Sequence, residues 1–346
     1  MFPILEEKIG TVSETQRELI QILELLELEG QMGERRGGRG RPSRSRIALA
    51  RAFVAKMVYN MGTTKTLVER LASDPMLRRI CGFGDKAPSE PTFSRAFAEF
   101  AEMGVAKRVH EALIEKYQAG RLVGHLSRDA TEIEAREKPG PKAKATPKAA
   151  RKRGRPRRGE ETEREVKRLE VQPTRTLEEN LQDLPQVCDV GTKRNSKGHT
   201  ESWIGYKLHL DVADGQIPIS AILTSASVHD SQVAIPLAQM TAQRVTNCYD
   251  LMDSAYDAES IRAYSAQLGH VAIIDFNRRS GGEPRSFSPC QAQRFKERTA
   301  VERVNGRLKD EFGARMIRVR GAKKVMEHLM FGLLALTADQ LLRLVC

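Results

Sequence analysis

At 346 residues the chain is long enough for one sizeable core and a smaller satellite domain, and 57 Lys and Arg against 45 Asp and Glu give it a net charge of +12 and a pI near 9.6. That balance favours a polyanionic partner without naming one. The five cysteines, Cys81, Cys188, Cys248, Cys290 and Cys346, form no C-x-x-C pair, which argues against a zinc site or a disulfide framework and fits a reducing cytoplasm. No stretch approaches the roughly 18 to 20 apolar residues of a membrane span, and Glu6, Glu7 and Lys8 stand where a signal peptide needs an apolar run.

Ser13 and Gln16 have the spacing of a capping box, and Leu19, Ile22, Leu23 and Leu26 follow at helical intervals. This predicts an amphipathic helix whose apolar stripe either joins two subunits or packs on the chain's own core. A Gly- and Arg-rich loop over 33–46 separates it from helices predicted at 47–59, 64–71, 75–80 and, with Ser89 as N-cap, 91–100. Phe93, Phe97 and Phe100 share one face of the last helix. Thr92 and Arg95 lie off that face, which leaves open both a reading helix of a helix-turn-helix and an ordinary solvated surface.

Residues 138–158 carry ten Lys and Arg, four Pro and no acid, a composition that cannot bury a core and predicts a disordered basic tether. Within it, Arg153-Gly154-Arg155-Pro156 has the form of an AT-hook centre, and Arg39-Gly40-Arg41-Pro42 repeats it upstream. Glycine lets such a backbone approach the floor of a narrow A·T minor groove while the two arginines occupy its negative potential. Non-specific phosphate binding is the alternative for both copies.

Strand-like runs follow at 203–212 and 217–224 with a hairpin turn at 213–216, then at 247–252 and 271–275 with a helix over 260–268 between them. Helices are predicted at 291–311 and 324–344. The pattern describes a mixed α/β sheet with flanking helices.

Two aspartates stand out within it. Asp129 lies at the polar end of the apolar run 122–126, and Asp253 directly follows the run 248–252. Carboxylates at strand ends can converge at a sheet edge and offer oxygen ligands to Mg²⁺, although a lone Asp is more often a cap or turn residue. Phe295, Arg298, Glu302 and Lys309 fall on one helical face at about 3.6 residues per turn. One carboxylate between two cations suits a metal site beside a phosphate backbone, and equally an exposed face with an Arg298–Glu302 ion pair.

The spacing Arg298-x3-Glu302-x6-Lys309, with Phe295 in a Tyr position, resembles the Y-R-E-K signature of bacterial insertion-sequence DDE transposases. Segments 127–138, 205–209, 226–231 and 253–257 resemble that family's successive blocks in order, and the helical N-terminal region resembles its amino-terminal domain. The resemblance implies an all-helical DNA-binding and multimerisation domain over 1–119 and a ribonuclease H-like catalytic domain over 120–346, interrupted by a basic disordered insertion at about 138–185. It implies Asp129 on the first strand, Asp253 just after the fourth and Glu302 on the following helix as metal ligands and catalytic residues for two Mg²⁺ ions, with Mn²⁺ able to substitute. Arg298 and Lys309 would grip DNA phosphates, joined by Arg39, Arg41, Arg95, Arg153 and Arg155. Asp230 and Asp257 lie in the resembling blocks but are not carried over as ligands. Phe295 lacks a phosphate-bonding hydroxyl. Trp203 is the only Trp, so the interval from Asp253 to Glu302 has none to trap a base.

The expected partners are the element's terminal repeats and target DNA, in a homodimer or higher synaptic complex in the cytoplasm, associated with the nucleoid. A stand-alone nuclease and a non-enzymatic DNA-binding regulator, such as a decayed transposase copy, are the competing functions. Deleting 138–158 is expected to weaken DNA binding and flatten the slope of log K against log salt by about 0.9 per lost phosphate contact. Anisotropy titrations across a salt series measure it, and an unchanged curve removes the tether's role.

Overall fold

The computed structural model describes residues 11–32, 44–141, 166–194, 198–277 and 286–345. Both Arg-Gly-Arg-Pro tetrapeptides, with Arg39, Arg41, Arg153 and Arg155, lie outside the described residues.

Helix α1 (Glu14–Leu26) begins at the expected capping box: the Ser13 hydroxyl accepts the Gln16 N–H, and the Gln16 side chain accepts the Ser13 N–H. Its stripe of Leu19, Ile22 and Leu26 is buried within the chain's own core. A single turn, α2 (Leu28–Gln31), precedes α3 (Arg46–Val58), α4 (Thr64–Ser73), α5 (Pro75–Cys81), α6 (Glu90–Met103) and α7 (Val105–Gln118). Phe93, Phe97 and Phe100 of α6 surround Phe53 of α3 at ring-centroid separations of 5.7, 5.1 and 6.1 Å. Edge-to-face and tilted contacts of this kind suit the ring quadrupoles.

The sheet is built from β1 (Leu122–Glu134), β2 (Asp189–Arg194), β3 (Thr200–Ala213), β4 (Ile217–Ser225), β5 (Thr246–Met252) and β6 (Val271–Ile274). Its order is β2-β3-β1-β5-β6, with β4 also paired to β3; β3 runs antiparallel to β1, β2 and β4, whereas β1, β5 and β6 are parallel. Gly205 sits where β3 passes the end of β1, at φ +155, and a Cβ there would lie 2.0 Å from the Ile133 carbonyl oxygen. Only glycine permits that approach.

Helices cover the two faces. Short α8 (Arg168–Val171) and α9 (Leu177–Asp183) pack on α10 (Ser231–Ala242), which lies on β3 and β4 and contacts α11 (Glu259–Gln267). After β6 come α12 (Pro289–Phe295), α13 (Thr299–Asp310) against β1 and β3, and α14 (Ala322–Val345). This is the ribonuclease H-like mixed sheet with flanking helices that the sequence implied, preceded by a helical region.

Several expectations need correction. Residues 168–183 belong to the span expected to be disordered, yet they form α8, a 3-10 turn and α9, held by hydrogen bonds from Gln172 Nε2 to the Gln232 carbonyl (2.7 Å) and from Asn180 Nδ2 to Gln239 Oε1 (2.9 Å). The first strand extends to Glu134, so Asp129 lies inside it and not at its end. The additional strand β2 makes Asp253 follow the fifth strand. Residues 322–344 are long and apolar enough to cross a membrane, contrary to the reading of composition, but this segment is mostly buried as a core helix. It packs against α1, α3, α6, α7 and β4, where Phe331 closes the aromatic cluster 5.6 Å from Phe53, so helices and sheet share one apolar core.

At the centre of the sheet Arg128, 1% exposed, meets Asp211 in the opposite register position of β3 through two bonds, Nε to Oδ1 at 2.7 Å and Nη2 to Oδ2 at 2.8 Å. Thr241 of α10 donates to Asp211 Oδ2 at 2.6 Å. Burial works to lower the Arg128 pKa, but Asp211 outweighs it and holds the guanidinium well above its ordinary value. Removing one partner strands a buried charge, so Arg128→Ala is expected to cost about 3–5 kcal/mol, whereas Arg128→Met with Asp211→Leu should be near neutral. Urea unfolding of the double-mutant cycle measures this, and additive losses would refute the coupling.

Candidate active site

Parallel pairing of β1 with β5 places Arg128 beside Met252, so the next residues along, Asp129 and Asp253, are neighbours where β5 ends. Side chains alternate across a strand, and Asp129 therefore projects to the face opposite Arg128. Ser127 shares the Asp129 face and donates to the Glu297 carbonyl at 3.0 Å, which docks the turn carrying Arg298 over this part of β1. Asp253 caps the 3-10 turn Ser254–Tyr256, accepting the Ala255 N–H at 2.9 Å.

The carboxylates crowd one another. Burial pushes the Asp129 carboxyl up to about 7, with Asp253 and Asp230 adding to the rise and Arg298 opposing it. Asp253 is raised by burial and by Asp230 and Asp275, again against Arg298. Asp230, at the start of α10, is held by Lys207 Nζ at 2.9 Å. Beneath them the buried Tyr256 hydroxyl has no hydrogen-bond partner among the described residues. The site is thus a pit of negative charge in a basic chain.

Glu302 is exposed on α13 and paired with Arg298. Arg298 also lies over the Phe295 ring, 5.7 Å from its centroid. Because Arg298 is felt by both aspartates and bonded to Glu302, it links all three predicted acids. The predicted single helix over 291–311 is instead broken by a 3-10 turn at Lys296–Arg298, so Phe295 belongs to a different helix from Glu302. Lys309 is held by Glu132 of β1 at 3.0 Å and does not stand at a free surface. Lys193 reaches the same carboxylate at 3.1 Å, and the two cations pull Glu132 down to about 2 against the opposing effect of its burial. Arg95 is exposed on α6, away from the phenylalanine cluster. Asp257 is occupied by Arg262 and by the Asn277 N–H, which suits a structural role.

Sequence reasoning did not single out Lys207 or assign a role to Asp230 and Asp275. The first two lie in the segments 205–209 and 226–231, and only the fold brings those segments together at this edge. Asp129 and Asp253 fit a hard divalent cation: both offer oxygen, they are adjacent, and their mutual repulsion is relieved by positive charge. Among the described residues no three His, Cys, Asp or Glu side chains are arranged to hold a metal, since Glu302 is turned to Arg298.

Residues 125–338 match the family model described as Transposase DDE domain, and residues 5–99 match a second described as Transposase domain. No curated protein and no solved structure matches the chain.

The raised Asp129 carboxyl carries a stability consequence. The folded protein keeps its proton where the unfolded chain has lost it, so stability falls as pH rises from about 4 towards 7 and stays reduced above, by on the order of 4 kcal/mol. Asp129→Asn should therefore raise the Tm at pH 8 in chelator and remove much of the pH slope, while a divalent cation should stabilise the parent more than the variant. Scanning calorimetry between pH 5 and 8 decides it: a variant less stable than the parent at pH 8 would contradict the charge crowding.

Proposed function

The chain belongs to the DDE transposase family, and from that premise we propose that it binds the ends of an insertion sequence and carries out metal-dependent strand cleavage and strand transfer into target DNA. The observation that carries this reading is the register-enforced adjacency of Asp129 and Asp253, with Glu302 linked to both through Arg298.

Asp129 and Asp253 would hold Mg²⁺, with Glu302 completing the set once it leaves Arg298, and the bound cations would supply Lewis-acid stabilisation of the attacking and leaving oxygens. Arg298, released from Glu302, then faces the phosphate whose charge the aspartates would otherwise repel. Lys207 keeps Asp230 from competing as a ligand. Lys309 and Glu132 hold α13 against β1, so Lys309 positions Glu302 and reaches a phosphate only by leaving Glu132. End binding falls to the helical region, with Arg95 of α6 available to DNA, and to Arg39, Arg41, Arg153 and Arg155. A homodimer or larger assembly would hold two ends together, in the cytoplasm and on the nucleoid.

The test uses ligand softness. Asp129→Cys and Asp253→Cys should lose cleavage of end-bearing DNA in Mg²⁺ and regain part of it in Mn²⁺, because a thiolate is a poorer partner for the harder ion. Asp230→Cys should show no such rescue. Rescue at Asp230 but not at Asp253 would reassign the second ligand, and joined products distinguish a transposase from a nuclease. A protein that binds ends but neither nicks nor joins them would be the non-enzymatic alternative.

A further inference from the structure

A second concavity lies away from the acid pit, between α3, α6 and the segment that joins α13 to α14. It encloses about 290 Å³, and among its lining residues are Lys56, Arg318, Arg320 and Lys324 but no Asp or Glu. Arg318, Arg320 and Lys324 are exposed at its mouth. Lys56 is different: it is only 5% exposed, it lines the cavity, and no charged partner among the described residues acts on it. Burial alone acts on it, pulling its ammonium down to about 8. A buried ammonium with no counter-ion is costly, and an anion in the cavity would offset that cost.

The remaining walls point to the kind of anion. Thr63, the N-cap of the ten-residue helix α4, and Ser94 line the cavity; the Thr63 hydroxyl accepts the Thr66 N–H at 3.0 Å, so what this wall offers is the start of α4 with the positive end of its helix dipole. Phe53, Met57 and Phe97 supply an apolar side. A bare inorganic ion has no use for that surface, whereas the sugar or base of a nucleotide does. Arg320 Nε donates to the Arg136 carbonyl at 3.0 Å just beyond β1, so the rim is tied to the strand that carries Asp129.

We propose that this cavity is a binding site for a phosphate ester, with Lys56 as its buried cation, Arg318 and Lys324 at its entrance and the aromatic side receiving the organic part. The phosphate comes either from the backbone of the DNA being processed or from a free nucleotide. The site is separate from the acid pit and its test requires no catalysis, so it stands or falls independently of strand cleavage.

The experiment is a thermal-shift titration of the full chain at constant ionic strength, with inorganic phosphate and deoxyadenosine 5′-monophosphate as probes, beside anisotropy with duplex DNA. The nucleotide should raise the Tm saturably, and more than inorganic phosphate does. Lys56→Met, which deletes the buried charge and should fold at least as well as the parent, should weaken a bound phosphate ester by about tenfold or more, as loss of a charge-assisted bond implies. Arg318→Gln should weaken it less. If Lys56→Met weakens DNA as well, the backbone is the source; if only the nucleotide shift is lost, a free nucleotide is. The proposal is overturned if the parent shows no saturable shift and Lys56→Met binds DNA like the parent, or if the parent does shift and the variant shifts equally while binding DNA like the parent.

Discussion

Arg128 is the largest side chain that the fold hides completely, and it is charged. It can stay there because Asp211 meets it in register with two bonds and Thr241 holds the carboxylate from the covering helix. The helix α10, the strand β3 and the central strand β1 are thereby fixed to one another at a single point. Alternation along β1 then sets the next residue, Asp129, on the opposite face. One strand thus carries a paired buried charge on one side and a carboxyl crowded by other acids on the other, and the rigidity of the first lends the second its position.

The chain's electrostatics have two scales. Its net charge of +12 draws a polyanion to the molecule as a whole, while Asp129, Asp253, Asp230 and Asp275 would repel phosphate locally. Arg298 reconciles them in the structure by leaning over the acids and taking Glu302 as its own partner. Cations brought by the solution would displace that arrangement, freeing both an acid and a guanidinium. The overall charge and the acidic spot are therefore set by different residues, which can be changed independently.

Much of this was legible in the sequence, and for local reasons. The capping box at Ser13 and Gln16, the phenylalanine face of α6, the hairpin between β3 and β4 and the placement of Asp253 after an apolar run all depend on neighbours in the chain. What was not legible depends on partners far away. The strand was read from the apolar run 122–126 with Asp129 at its polar end, and its continuation to Glu134 depends on Asp211 and Lys309, which compensate Arg128 and Glu132 from 83 and 177 residues on. The helices α7 and α10 escaped notice, the second because Pro236 interrupts its pattern and its apolar residues are buried nearly all round. The folded part of the expected insertion, residues 168–183, owes its structure to α10, and the acid pit to the topology that brings Asp230 beside β1. The break at Lys296–Arg298 coincides with docking of the Glu297 carbonyl on Ser127, another contact across the fold.

The helix α14 fills the centre of the N-terminal helices: Phe331 completes their aromatic cluster, Glu327 accepts the Ala106 N–H at the start of α7 at 2.9 Å, and Gly332 lies so close to the end of α13 that a Cβ would be 2.6 Å from the Phe312 carbonyl oxygen. The first half of the chain therefore has no finished interior of its own. During translation those helices must wait on the ribosome, partly exposed, until residues beyond 322 emerge. A message broken before that point would yield a chain whose N-terminal helices lack the helix that closes their core.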